Sequence, residues 1–137
     1  MNKLAPITLL IIGSYLYGQT QLEYNLEASK TYKKTDLELN QVYKRILNLY
    51  SNDTLFIKNL RTSQRNWIRF RDSEFKMRYP EYTNEMRYGS MQPSCENHFL
   101  AKITSKRIKT LKLWLQGTSD GDGCSGSIKH VTHLSTD

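Results

Sequence analysis

Between Gln21 and about Tyr50, the apolar side chains Leu22, Leu26, Tyr32, Leu39, Tyr43, Ile46 and Tyr50 recur at three- and four-residue intervals. That period predicts an amphipathic helix, and no Pro or Gly interrupts it. Ser51, Asn52 and Asp53 follow as a turn, and either Asn52 or Asp53 is placed to cap a second helix. The second helix is predicted over Thr54–Arg78, because Pro80 biases Tyr79 away from the α region. Phe56, Ile57, Leu60, Trp67 and Phe75 fall on one side of it, and Lys58, Arg61, Arg65, Arg69 and Lys76 on the other.

Residues 79–93 hold Pro80, Gly89 and Pro93 with Tyr82 and Tyr88, and read as a loop or a loop with one helical turn inside it. Ser94 can cap a third helix running to about Gln116, with Leu100, Ile103, Leu111 and Trp114 as its stripe and Gly117 as its stop. Residues 117–137 are rich in Gly, Ser and Thr with little to bury, so a flexible, disordered tail is expected. The fold class is therefore all-α: a small bundle of three main helices over residues 19–116, with an aromatic-rich loop between the second and third.

The start of the chain adds a location. Met1, Asn2 and Lys3 precede a mostly apolar run, Leu4 to Tyr17, of about fourteen residues. At about 1.5 Å per residue the run spans roughly 20 Å, short of a ~30 Å hydrocarbon core. Residues 1–18 therefore read as a secretion signal, with Gly18 before the cut and Gln19 as the new N-terminus. Leu16 is an unfavourable −3 residue, so the cut can fall a position or two away; the alternative is an uncleaved N-terminal anchor. Cleavage leaves about 119 residues, one modest core and no transmembrane span. The expected location is periplasmic or secreted. The formal charge is +7, of which only Lys3 leaves with the signal. Export makes nucleic acid the least expected partner for this basic chain, behind anionic surfaces and simple solubility.

Candidate chemistry is sparse. No Ser, Cys or carboxylate stands beside a base and an orienting partner, so no catalytic residue is assigned. Cys124, His130 and His133 lie in a tail without a scaffold for tetrahedral zinc, and Asp120 and Asp122 lack the remaining ligands of a calcium loop. No metal or cofactor is assigned. The informative anomalies are polar. Gln64, Arg71 and Glu74 share the apolar side of the second helix with Leu60 and Trp67, and Arg107 sits within the stripe of the third. A guanidinium facing a core needs a partner, and Glu74 is the acid best placed to supply it, which predicts a Glu74–Arg107 pair with Arg71 nearby. The loop offers Arg78, Tyr79, Tyr82, Arg87, Tyr88 and Ser90 for partner binding, residue types typical of hot spots; equally, its tyrosines can fold back onto the bundle.

Three blocks carry a family resemblance. LRTSQRNWIRFRDSEF (Leu60 to Phe75) resembles the LR-x-(A/S)-QR-x-W-x-x-FRD-x-E-C motif of the lysozyme inhibitor LprI N-terminal domain family, small exported bacterial helical domains. GSMQPSCENHFLAKITSKRIKTLKLWL (Gly89 to Leu115) resembles its second signature, and DLELNQVYKRIL (Asp36 to Leu47) its upstream block, through Leu39, Asn40 and Tyr43. The resemblance makes Gln64, Trp67, Arg71, Asp72, Glu74 and Arg107 the structural motif. Phe75 stands where relatives carry a Cys, and the Cys common before the first helix is absent, so Cys95 has lost its usual partner. Cys124 is the remaining candidate for a bridge, with an almost fully extended tail needed to reach it; free thiols or an intermolecular bond are the favoured alternatives.

The resemblance implies a non-enzymatic protein whose partner is lysozyme or another cell-wall hydrolase. Such a protein would plug a carbohydrate cleft that works through two carboxylates, and Arg87 or Arg78 could be offered to them. The alternative is a cell-envelope module that binds glycan or anionic surfaces through the tyrosine loop and the basic ridges.

Overall fold

The computed structural model describes residues 5–119 and 122–134, with side chains from Thr20 onward except that of Glu85. The first helix, α1 (Ala5–Leu49), begins well before the expected Gln21. The signal-peptide reading rests on residues whose side chains, and for 1–4 the backbone as well, lie outside the described residues. Among the described residues no helix is long and apolar enough to cross a membrane.

The inner face of α1 follows a four-three alternation through Gln21, Asn25, Ala28, Tyr32, Thr35, Leu39, Val42 and Ile46. Its first half is small or polar and its second half apolar. The expected stripe is corrected here: Leu22 and Leu26 are 59% and 51% exposed, while Ala28 is fully buried one turn away. Large side chains mark a face less reliably than the phase in which a neighbouring helix comes close.

That neighbour is α4 (Gln92–Gln116), against which α1 packs most extensively. Ser94, Ala101 and Thr104 are buried on α4, and residues this small let two helix axes approach. Ser94 is thus inside the helix rather than its cap; Pro93 occupies the first turn, where its missing N–H costs nothing. The innermost α4 positions are Ala101, Thr104, Ile108 and Leu111, while Leu100 and Ile103 of the expected stripe are half-buried.

The second helix, α2 (Thr54–Arg78), has the expected bounds, and Asp53 is its cap, accepting from the Phe56 N–H at 2.9 Å. The loop contains one helical turn, α3 (Glu85–Tyr88), capped by the Asn84 side chain. The core lies at the C-terminal end of α1, where Leu39, Val42, Ile46 and Tyr50 meet Leu60 of α2 and Ile108 and Leu111 of α4.

The tail expected to be flexible is tied down over its described part. Two helix ends leave orphan carbonyls here; the tail meets one of α1, and Tyr50 meets one of α4. Lys129 Nζ donates to Leu49 O at 2.7 Å, at the negative end of α1. The Lys129 N–H donates to Tyr50 Oη at 2.9 Å, and the Tyr50 hydroxyl donates to Trp114 O at 3.1 Å. Trp114 Nε1 donates to Ser127 Oγ, and Thr118 bridges to the chain around His130. Gly117 makes the turn at φ +74°, and a Cβ there would lie 2.6 Å from Leu134 Cδ1. The low apolar content behind the expectation is offset by hydrogen bonds that depend on where α1 and α4 end.

Tyr50 is 2% exposed. Tyr50→Phe should lower stability by about 1–3 kcal/mol, since it leaves the Lys129 N–H and the Trp114 carbonyl unpaired; chemical denaturation measures the loss. Burial also pushes the Tyr50 phenol above its ordinary value. The native state therefore holds this proton more tightly than the unfolded chain. That contribution is complete at neutral pH and disappears only as pH climbs from about 10 through the raised value. Tyr50→Phe should flatten part of the alkaline loss of stability, and an unchanged alkaline profile would refute the assignment.

Candidate functional site

The polar anomalies of α2 and α4 converge on Trp67. Arg107 donates through Nε to Gln64 Oε1 at 3.1 Å and through Nη2 to Ser63 Oγ at 3.0 Å. Its guanidinium carbon is 5.9 Å from the Trp67 ring centroid, and that of Arg71 is 5.5 Å from the same ring. Arg71 is braced by Asp72 at 2.9 Å and reaches Asp36 of α1 at 3.7 Å. One ring and two guanidiniums thus link α2 to both neighbours.

The expected Glu74–Arg107 pair does not form, and Glu74 makes no ion pair among the described residues. α2 and α4 run antiparallel, so Arg107 comes level with Ser63 and Gln64, while Glu74 lies about 15 Å further along α2. Arg107 is left with two neutral oxygens as partners. Burial holds its pKa below the usual guanidinium value, although an Arg remains charged at any working pH.

The loop resolves into a braced base and an exposed rim. Tyr79 is 8% exposed and is drawn inward, against Tyr88 at 5.7 Å, Phe75 at 5.4 Å and Phe99 at 6.2 Å between ring centroids. Arg78 lies over the Phe99 ring at 5.0 Å. Phe75 also meets Tyr82 edge-on at 5.4 Å between ring centroids, a further aromatic contact that holds the loop. Gln92 Nε2 donates to Tyr82 O at 2.9 Å, and Asn25 Nδ2 donates to Ser90 O at 3.2 Å, tying the loop to α4 and α1. Of the six loop candidates, Tyr79 and Tyr88 build the base, and Arg78, itself exposed, covers it through Phe99. Tyr82, Arg87 and Ser90 are exposed, together with Met91 and the 93% exposed Met86. Arg87 meets Glu81 at 3.6 Å in a solvent-exposed pair.

Cys95 and Cys124 are free and exposed, with no bridge between them. Cys95 lies in the first turn of α4 and Cys124 beyond its other end, with about 30 Å of helix between, and the tail turns onto Tyr50 and Trp114 instead of running back along the helix. Among the described residues no group of three or more His, Cys, Asp and Glu side chains is placed to hold a metal.

A family model described as lysozyme inhibitor LprI matches residues 15–111. The chain belongs to this family. The matched span contains Gln64, Trp67, Arg71, Asp72, Glu74 and Arg107; all of these but Glu74 take part in the contacts between helices described above. A relative from Rhizobium meliloti (strain 1021), described only as an uncharacterized protein, is 30% identical over 104 residues, covering 68% of this chain and 72% of its own. No solved structure matches the chain.

Sequence reasoning missed Asp36, Ser63, Asn25, Gln92 and Phe99. Each acts through a partner distant along the chain, and no local pattern marks such a role.

Proposed function

We propose that this LprI-family protein is an exported, non-enzymatic inhibitor of lysozyme that docks through the rim of the α2–α4 connection. The observation that carries this reading is the contrast within that loop: a base locked by aromatic packing presents Tyr82, Met86, Arg87 and Ser90 outward. A rim already held in place loses little freedom on binding, which favours affinity. Arg87 is held only by a surface pair, worth about 0–1 kcal/mol, so exchanging Glu81 for a carboxylate in a glycan-cleaving cleft costs little. The basic start and the short apolar run of residues 1–18 support export.

The test is lysozyme-driven clearing of a cell-wall suspension in the presence of the purified mature chain. Lysis should slow with added protein. Arg87→Ala and Tyr82→Ala should each weaken inhibition by about tenfold or more if they are hot spots, with the fold retained by circular dichroism. Undiminished lysis at large excess would overturn the inhibitor reading. Cosedimentation with the walls under those conditions would instead favour an envelope-binding module.

A further inference from the structure

α2 stands off from α4 at its N-terminal half and leaves a groove of about 330 Å³ between them. Leu55, Phe56, Leu60, Leu111 and Trp114 line it, and Arg107 stands in its wall. The volume is at the lower end of small-molecule sites, and the lining follows their usual plan of apolar walls with a few fixed polar groups. Leu55 is 67% exposed although it opens directly onto this apolar space.

The charge in the groove is unevenly answered. Arg107 has five donors and spends two of them on the neutral oxygens of Gln64 and Ser63. A half-buried cation without a carboxylate partner favours an anion, and the apolar surroundings strengthen that attraction. The acid in the lining is Asp53, which accepts the Phe56 N–H at the start of α2. Ten residues of helix separate it from Ser63, about 15 Å. One end of the groove is therefore cationic, the middle apolar and the far end anionic. An anion-headed ligand has one favoured orientation there.

We propose that this groove binds a single-chain amphiphile with an anionic head, the head on Arg107 and the hydrocarbon along Leu60, Leu111, Phe56 and Trp114. A fatty-acid carboxylate and the phosphate of a single-chain lipid share this chemistry. The groove is remote from the loop rim, so the proposal does not depend on lysozyme inhibition.

Titration of the purified chain with dodecanoate and dodecyl phosphate below their micelle concentrations, and with dodecanol below its solubility, tests it, read by calorimetry and by tryptophan fluorescence. One or both anions should bind, and dodecanol at least about tenfold more weakly, as expected for loss of a charge-assisted hydrogen bond. The tighter anion identifies the source. Ser63→Asp sets a carboxylate against the guanidinium without touching the core, and should weaken anion binding by about tenfold or more while leaving lysozyme inhibition as it was. Leu55→Asp, in a first helical turn that tolerates acids, should also weaken it. Equal binding of dodecanol and dodecanoate, unchanged anion binding in Ser63→Asp, or no binding of either anion would overturn the proposal.

Discussion

Ile46→Ala should lower the free energy of unfolding by about 2–5 kcal/mol, a large part of the stability of a domain this size. Ile46 is fully buried where Tyr50, Leu60, Ile108 and Leu111 meet. All three long helices contribute to that cluster, so no single helix can shift to fill the cavity without disturbing the other two. Leu22→Ala is the informative control. Leu22 belongs to the same periodic stripe in the sequence but is 59% exposed, and its loss should stay within about 0.5 kcal/mol. Urea unfolding of the two variants, with an unchanged slope as the check on two-state behaviour, measures both. Similar losses would mean that the buried face of α1 has been misplaced.

Trp67→Ala should cost about 3 kcal/mol, more than a half-exposed surface residue would suggest. The ring packs on the core cluster and carries Arg71 and Arg107 on its faces. Removing it loses apolar contact and two cation–π contacts worth about 0.5–1 kcal/mol each, and leaves two guanidiniums beside a void. Trp67→Phe keeps a ring in place and should recover at least about half of the loss, since a benzene ring retains most of the apolar contact and a weaker cation–π face. Thermal and urea unfolding of the pair decide it. Equal destabilisation by Ala and Phe would show that a ring at 67 is not what the two arginines depend on. The result also bears on how the family motif is understood: a folded but weakened Trp67→Ala protein that still inhibits lysozyme would separate the motif from the docking rim.

The helix bounds of α2, a cap at Asn52 or Asp53, the Gly117 stop and the separation of the basic and apolar faces of α2 were legible because each depends on a few neighbouring residues. Local backbone preference and periodicity carry that information. Gln64, Arg71, Glu74 and Arg107 were legible for the same reason: polar side chains on an apolar face stand out at helical spacing. Their pairing was not. Glu74 is the nearest acid in sequence terms, but register between antiparallel helices set Arg107 opposite Ser63 and Gln64, and register depends on the loop between them.

The tail shows the same division. Its composition is that of a chain with nothing to bury, yet Lys129 and Ser127 find partners because α1 and α4 end side by side and leave carbonyls and an indole N–H to be met. By itself the sequence determined three long helices, the polar and apolar sides of α2, and Gln64, Arg71 and Arg107 among the residues that cross-link the bundle. Only the tertiary structure decided that Tyr79 turns inward while Arg87 faces out, that Phe75 packs against Tyr79 and Tyr82, and that Arg107 stands without an acid in the wall of a groove. Such features arise from contacts between segments far apart in the chain, whose relative positions are set by helix packing and not by any local preference.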